Sequence, residues 1–295
     1  MSSEHVAAMP ELKGVDELPS LKDRLQVAAE GPFVLDAYRA DATPCVKDRA
    51  KAERLLDRRL LPALTRLHDL MMANQRHSLL VVLQGLDASG KSGTIKHVGS
   101  ALNLCGTRVA CFKEPDAEED QEHFLERIRR ELPDPGQVCF FDRSHYEDAI
   151  APRAAGELGD DDLATRIKEI REFEQELVDG GTVIVKCLLQ LSYDEQRERF
   201  LRRLSTPDKR WKFSESDLET RANWQAQEAA YCEVIGQTNF EFAPWFIVPA
   251  DHKWYRNFAV ASLLVEHLAA LGEEYPGLGA DAAPDDLITR LQPPH

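Results

Sequence analysis

Ser78-Leu79-Leu80-Val81-Val82-Leu83-Gln84-Gly85-Leu86-Asp87-Ala88-Ser89-Gly90-Lys91-Ser92 runs an unbroken apolar segment straight into a glycine-rich turn. Residues 85–92 fit the spacing G-x-x-x-x-G-K-[ST] without a gap. Gly85 and Gly90 let the backbone bend so that the N–H groups of Ala88, Ser89 and their neighbours converge on one anion. Lys91 supplies a mobile point charge to the phosphates. A helix predicted from Gly93 to about Leu102 aims the positive end of its dipole at the same spot. Ser92 reads either as a magnesium hydroxyl ligand or as a small residue at a helix start. Asp87 is unusual in such a loop: beside bound phosphate its charge needs a metal or a proton for compensation, unless it only stabilises the turn.

Four further apolar runs follow, at 107–113, 137–142, 182–191 and 244–251. Amphipathic stretches separate them, including 162–178, 194–204 and a closing helix at about 252–271. Continuous apolar strands alternating with helices predict an α/β fold, a parallel five-stranded sheet covered on both faces. Ahead of the first strand, Leu55, Leu56, Leu60, Leu64, Leu67 and Leu70 recur at helical spacing, with Thr43-Pro44 as a start signal. That leucine face suits either core packing or subunit contact. The chain divides into an N-terminal arm (1–45), a core domain (46–272) and a C-terminal tail (273–295).

The third strand ends in Phe140-Phe141-Asp142-Arg143-Ser144-His145-Tyr146. Ligands gather at the carboxyl ends of parallel strands, so Asp142 reads as a magnesium carboxylate and Arg143 as a phosphate fork. A structural ion pair between the two is the alternative. His145 suits a structural or a ligand-contacting role equally. After the fourth strand, Ser192-Tyr193-Asp194-Glu195 has capping-box spacing. It leads into Arg197, Arg199, Arg202, Arg203, Lys209, Arg210 and Lys212, opposed between Arg197 and Lys212 only by Glu198 and Asp208. Such a run is either a solvated helix face or a lid, about 194–217, that brings cations onto phosphate. Trp211 and Phe213 are expected to anchor it.

Composition removes other classes. With 36 Lys+Arg against 51 Asp+Glu the formal charge is −15, so bulk charge argues against nucleic-acid binding and requires any polyanion to meet a local basic patch. No apolar run approaches the ~18 residues of a membrane span. The N-terminus lacks a basic region followed by an apolar one, so no secretory signal is expected. The six cysteines have neither CxxC nor zinc spacing. They are expected as buried thiols, Cys111, Cys139 and Cys187 within apolar runs, in a reducing cytoplasm.

Taken together, QGLDASGKSGTIKHV (84–98), FFDRSHYED (140–148), ERFLRRLSTPDKRWKFSESD (198–217) and APWFIVPADHKWYRNFAV (243–260) resemble the polyphosphate kinase 2 family. The resemblance spans roughly 35–271. It implies a P-loop kinase-type sheet with a helical lid, Mg²⁺ dependence and a homo-oligomer, dimer or tetramer. It also implies polyphosphate as donor to a nucleoside mono- or diphosphate. By position, Asp87, Lys91, Asp142 and Arg143 match the two Walker motifs as catalytic residues, with Asp87 and Asp142 on the metal. Arg202, Arg203, Lys209 and Arg210 fall in the lid, where polyphosphate would lie. SHYED, WKFS and PADHKW look most like the subgroup acting on AMP and ADP. Asp142, where that subgroup often has Asn, and Glu114-Pro115-Asp116 depart from it. An ATP-dependent nucleotide or small-molecule kinase shares the loop and lid, and a non-catalytic sensor shares the binding residues. Intact Asp87, Lys91 and Asp142 favour catalysis.

Overall fold

The computed structural model describes residues 20–29, 33–112, 122–277, 288, 290 and 291. Glu114-Pro115-Asp116 and most of the arm and tail lie outside them. Five strands form one parallel sheet: β1 (Ser78–Gln84), β2 (Thr107–Cys111), β3 (Val138–Asp142), β4 (Thr182–Gln190) and β5 (Trp245–Pro249), in the order β2-β3-β1-β4-β5. Every residue of β1 is buried. Its side chains alternate between two cores, as a strand covered on both faces demands.

Leu79, Val81 and Leu83 join the first core. It contains residues of the long N-terminal helix α1, of α2 (Lys91–Gly99) and of α9 (Lys253–Ala269). Helix α1 is built from Arg49–Leu55, a π-helical turn Leu56–Leu60 and Leu61–Asn74. Leu80 and Val82 join the second core with α3 (Phe124–Arg129), α4 (Glu147–Ala154), α5 (Asp160–Asp179) and α8 (Trp224–Thr238). Leu56, Leu60, Leu64, Leu67 and Leu70 are all buried, so the leucine face of α1 packs into the sheet. That helix starts later than Thr43-Pro44 suggests: Asp48 caps it, its carboxylate accepting from the Lys51 amide at 2.5 Å.

The expected lid is helical: α6 (Tyr193–Ser205), a 3₁₀ turn Pro207–Lys212 and α7 (Glu215–Ala222). Ser192 caps α6 through the Glu195 amide, but only half of the expected box forms. The Ser192 amide donates to Asp251 at 2.9 Å, and Glu195 instead accepts from Arg199 and Arg202. The reciprocal box sits at α7, between Ser214 and Asp217. Phe213 packs edge-on to Phe200, whereas Trp211 is 77% exposed and anchors nothing in the core.

Cys139 and Cys187 are buried as expected, but Cys45, Cys105 and Cys111 are exposed. Cys111 differs because β2 is an edge strand and presents one face outward. Among the described residues no helix is long and apolar enough to cross a membrane.

Candidate active site

Strand register builds the site. Leu83 of β1 lies opposite Asp142 of β3, so the turn after β1 and the acid ending β3 emerge side by side. The Arg143 amide donates to the Leu83 carbonyl at 3.1 Å, which ties the two strand ends together. From β1 the chain travels to the sheet edge and back, then crosses to β4 on the other side of β1. Ligand crevices form at such a reversal.

The Gly85–Ser92 turn is held from within and without. Lys91 is buried and its Nζ donates to the Gly85 carbonyl at 2.6 Å. Gly85 has φ 141°, and a Cβ there would sit 2.8 Å from the Leu189 carbonyl of β4. Gly90 has φ 104°, and a Cβ there would lie 1.9 Å from Arg256 Nη1. Ala88 carries the left-handed conformation without being glycine, at φ 68°. Gly90→Ala therefore meets a forbidden φ and a buried guanidinium at once. It is expected to cost about 1–3 kcal/mol of unfolding free energy, read from urea denaturation.

Arg143, also left-handed at φ 66°, turns its Nη2 to Asp87 Oδ1 at 2.8 Å, with Glu147 4.0 Å from its Nε. Burial works against its charge, but the carboxylates of Glu147 and Asp87 outweigh that and raise its pKa. Burial likewise raises Glu147, against the pull of Arg143 and Lys91. Asp142 accepts from Ser92 Oγ at 2.6 Å. The two acids therefore have different partners, and Arg143 pairs with Asp87 rather than with Asp142. His145 is fully buried beside Glu174, 3.3 Å from Nε2 to Oε1, which makes it a structural residue.

A cleft of about 540 Å³ opens at the first half of the loop. Gly85, Leu86 and Asp87 line it, with Arg143 and Glu147 from the end of β3 and the start of α4, Arg127 of α3, Arg166 of α5 and Tyr231 of α8. A second hollow of about 500 Å³ continues past Arg127, Asp148 and Arg166 towards Phe124 and Glu169. Arg127 donates to both oxygens of Asp148 at 3.0 and 2.9 Å, and Arg166 donates to the Asp148 carbonyl.

The lid cations lie elsewhere, and none lines that cleft. Arg202 pairs with Glu195 at 2.6 Å, Arg203 lies 3.8 Å from Asp217, and Arg210 donates to the Leu204 carbonyl at 2.8 Å. Lys209 is exposed. The second half of the loop, Ala88 to Gly90, touches Arg199 of α6 and Arg256 of α9 instead. Lys253 stands near them: burial, then the charges of Arg199, Arg202 and Arg256, lower its pKa. Sequence reading missed the cleft arginines Arg127 and Arg166, which belong to no local motif, and assigned no role to Lys253 and Arg256, although both lie in the 243–260 block. Arg199 was lost among the lid cations, although its α6 neighbours at 202 and 203 face solvent more.

Hard oxygen donors fit a magnesium ion here. Ser92 Oγ and Asp142 Oδ2 meet at 2.6 Å beside the loop. One or two protein oxygens, completed by phosphates and water, is how Mg²⁺ is commonly bound. Asp87 has one carboxylate oxygen on Arg143, so any metal contact it makes is shared with that pair.

The family model described as polyphosphate kinase 2 (PPK2) matches residues 47–275. The AMP/ADP-polyphosphate phosphotransferase of Meiothermus ruber is 40% identical over 257 residues, 86% of this chain and 95% of that protein. The ADP-polyphosphate phosphotransferase of Rhodopseudomonas palustris is 39% identical over 240 residues, 77% of this chain and 80% of that protein. The crystal structure of polyphosphate kinase 2 from Arthrobacter aurescens superimposes with a TM-score of 0.88 at 35% identity, covering 93% of this chain and 98% of that one.

Proposed function

The chain belongs to the polyphosphate kinase 2 family, and from that premise we propose that it transfers the terminal phosphoryl group of inorganic polyphosphate to AMP, ADP or both, reversibly and with Mg²⁺. The observation that carries this is the division of the phosphate loop. Its first half lines an arginine-bearing cleft of about 540 Å³, within the usual range for small-ligand sites, and its second half abuts the base of a cation-rich lid. Acceptor and donor thus approach one loop from two directions.

The cleft takes the nucleotide, with Arg143 facing its phosphates and Arg127 and Arg166, both held by Asp148, forming its basic wall. Arg202, Arg203, Lys209 and Arg210 of the lid hold the polyphosphate chain, which offers no base edges and needs only a basic track. Lys91 and Arg143 bind the transferring group, and Asp87 orients the Arg143 fork. Asp142, Ser92 and Asp87 would hold Mg²⁺, which when bound offsets charge on the two phosphate groups. The protein contributes positioning and electrostatics to an in-line transfer. Cysteines with neither CxxC nor zinc spacing suit the reducing cytoplasm, where we place the enzyme as a homo-oligomer, dimer or tetramer.

Purified protein with polyphosphate, Mg²⁺ and AMP or ADP, without added ATP, is expected to yield ADP from AMP and ATP from ADP, and neither product in EDTA. Product from ADP alone keeps the reaction and narrows the acceptor. Turnover only with ATP as donor would instead make the protein an ordinary nucleotide kinase, and binding without turnover would make it a sensor.

A further inference from the structure

We infer that Arg199 is a positioning residue for phosphoryl transfer: from the base of the lid it sets the phosphate loop by holding the loop's carbonyls away from the substrate. Arg199 sits midway along α6, three residues before Arg202, and is 5% exposed. Its guanidinium has five N–H donors, and all five are used. Nε donates to Glu195 Oε1 at 2.9 Å. Nη1 donates to the carbonyls of Ala88 at 2.9 Å and Ser89 at 3.0 Å. Nη2 donates to the carbonyls of Ala250 at 2.5 Å and Asp251 at 2.9 Å, in the connection between β5 and α9.

Two neighbours extend the grip. Gln196, one turn earlier on α6, donates to the Asp87 carbonyl at 3.0 Å. Arg256 of α9, 3% exposed, adds a second donor to the Ser89 carbonyl at 3.0 Å. Three consecutive loop carbonyls, those of Asp87, Ala88 and Ser89, are therefore bound by side chains of α6 and α9. Each peptide is planar and trans, so its N–H points opposite its C=O. Holding the three carbonyls fixes the direction of the N–H groups of Ala88, Ser89 and Gly90, of which that of Ser89 closes a turn onto the Leu86 carbonyl at 3.0 Å. A loop whose N–H groups converge on phosphate cannot let those carbonyls swing inward, where they would repel the anion.

The arrangement also divides the lid. The Arg199 end of α6 is fastened to the loop, whereas beyond it Arg202, Leu204 and Ser205 are exposed and Thr206 leaves the helix in extended conformation. Lid movement at Thr206 would leave the loop undisturbed, and α6 itself serves as a fixed wall. Lysine cannot replace Arg199, because three donors from one nitrogen cannot span acceptors on two loops.

The inference rests on the phosphotransfer reading above, and the experiment separates the two. Arg199→Lys and Arg199→Gly are compared with wild type in the full chain for kcat, for both KM values and for tripolyphosphate affinity by calorimetry. Both variants are expected to lose about 10²-fold in kcat, the scale of a roughly 1 Å misplacement, with the nucleotide KM little changed. Tripolyphosphate binding is expected to weaken in both, and millimolar guanidinium to restore part of the kcat of Arg199→Gly but none in Arg199→Lys. A purely structural role would lower activity only in step with the folded fraction and show no guanidinium response, which would overturn the inference. So would wild-type kcat and tripolyphosphate affinity in Arg199→Lys. If neither variant folds, Gln196→Met releases the Asp87 carbonyl alone, and unchanged kcat and tripolyphosphate affinity there would overturn it equally. Absence of turnover in the wild type would defeat the phosphotransfer reading and leave the tripolyphosphate comparison to decide the role of Arg199.

Discussion

Lys91→Ala is expected to lower kcat for phosphoryl transfer from polyphosphate to either nucleotide by about 10²–10³-fold while the protein stays folded. Lys91 opens α2 and folds back so that its Nζ donates to the Gly85 carbonyl at 2.6 Å, at the threshold of the cleft that Gly85 also lines. In the proposed reaction this is the cation that follows the transferring group. Removing one such preorganised donor typically lowers kcat by about 10²–10³-fold, roughly 3–4 kcal/mol of transition-state stabilisation. Alanine keeps helical propensity at the first turn, and the Gly85 carbonyl remains next to the solvent-accessible cleft, so the cost to folding is small. The split to look for is a collapse of kcat with the nucleotide KM within a few-fold. Turnover within tenfold of wild type would remove Lys91 from the transfer step.

Lys186→Met and Glu174→Leu are each expected to destabilise the protein by about 3–5 kcal/mol, the cost of leaving one buried charge without its partner. The double variant should recover much of that. Lys186 of β4 is completely buried, and its three ammonium protons reach Glu174 Oε2 at 2.7 Å, Tyr146 Oη at 2.9 Å and the Thr238 carbonyl at 2.9 Å. The other oxygen of Glu174 accepts from Tyr146 Oη at 2.7 Å. Four elements meet there: β4, α5, the turn after β3 and the end of α8. Tyr146 follows Arg143 by three residues, so the cluster also steadies the turn that presents Arg143. When both charges go, the neutral Tyr146 hydroxyl and His145 Nε2 lose their Glu174 partner, at about 1–3 kcal/mol for each group, less than the two single losses combined.

Urea denaturation of the four proteins gives the interaction energy directly. Additive losses would show that the two charges do not act as a pair. Acid adds a second readout. Burial opposes the ionised form of Glu174, but Lys186 and His145 overcome it and hold its pKa below the ordinary glutamate value. Below that value the unfolded chain binds the proton first, so the stability contributed by Glu174 is full above it and is lost as pH falls through the folded pKa. The Glu174→Leu variant should lack this acid-side slope.

Much of this was legible in advance because it depends on neighbours in the chain. All five strands lie within the apolar runs read as strands, and β1 coincides with 78–84. The phosphate turn announced itself through glycine spacing, because only a few residue types tolerate φ near +104° at Gly90. The place of Asp142 at the end of β3 was legible in the same way. Errors came where the deciding partner is distant. Thr43-Pro44 has the chemistry of a helix start, yet Asp48 supplies the cap. Trp211 looked like an anchor by its size, but the 3₁₀ turn that carries it turns it outward, and Phe213 takes the contact with Phe200. Cys111 looked buried by its apolar neighbours until the strand order put β2 at the edge.

By itself the sequence determined the strand–turn–helix that makes the phosphate loop, the parallel sheet behind it and the basic run after the fourth strand. Those rest on local backbone preference and on hydrophobic periodicity, which act over a few residues. Only the tertiary structure decided which charges meet: Arg143 with Asp87 rather than Asp142, Lys186 with Glu174, and Arg199 with the carbonyls of Ala88 and Ser89. The residues of each pair lie between 12 and 111 positions apart in the chain. Side-chain electrostatics in a low-dielectric interior depends on separation in space, and no local pattern encodes that distance.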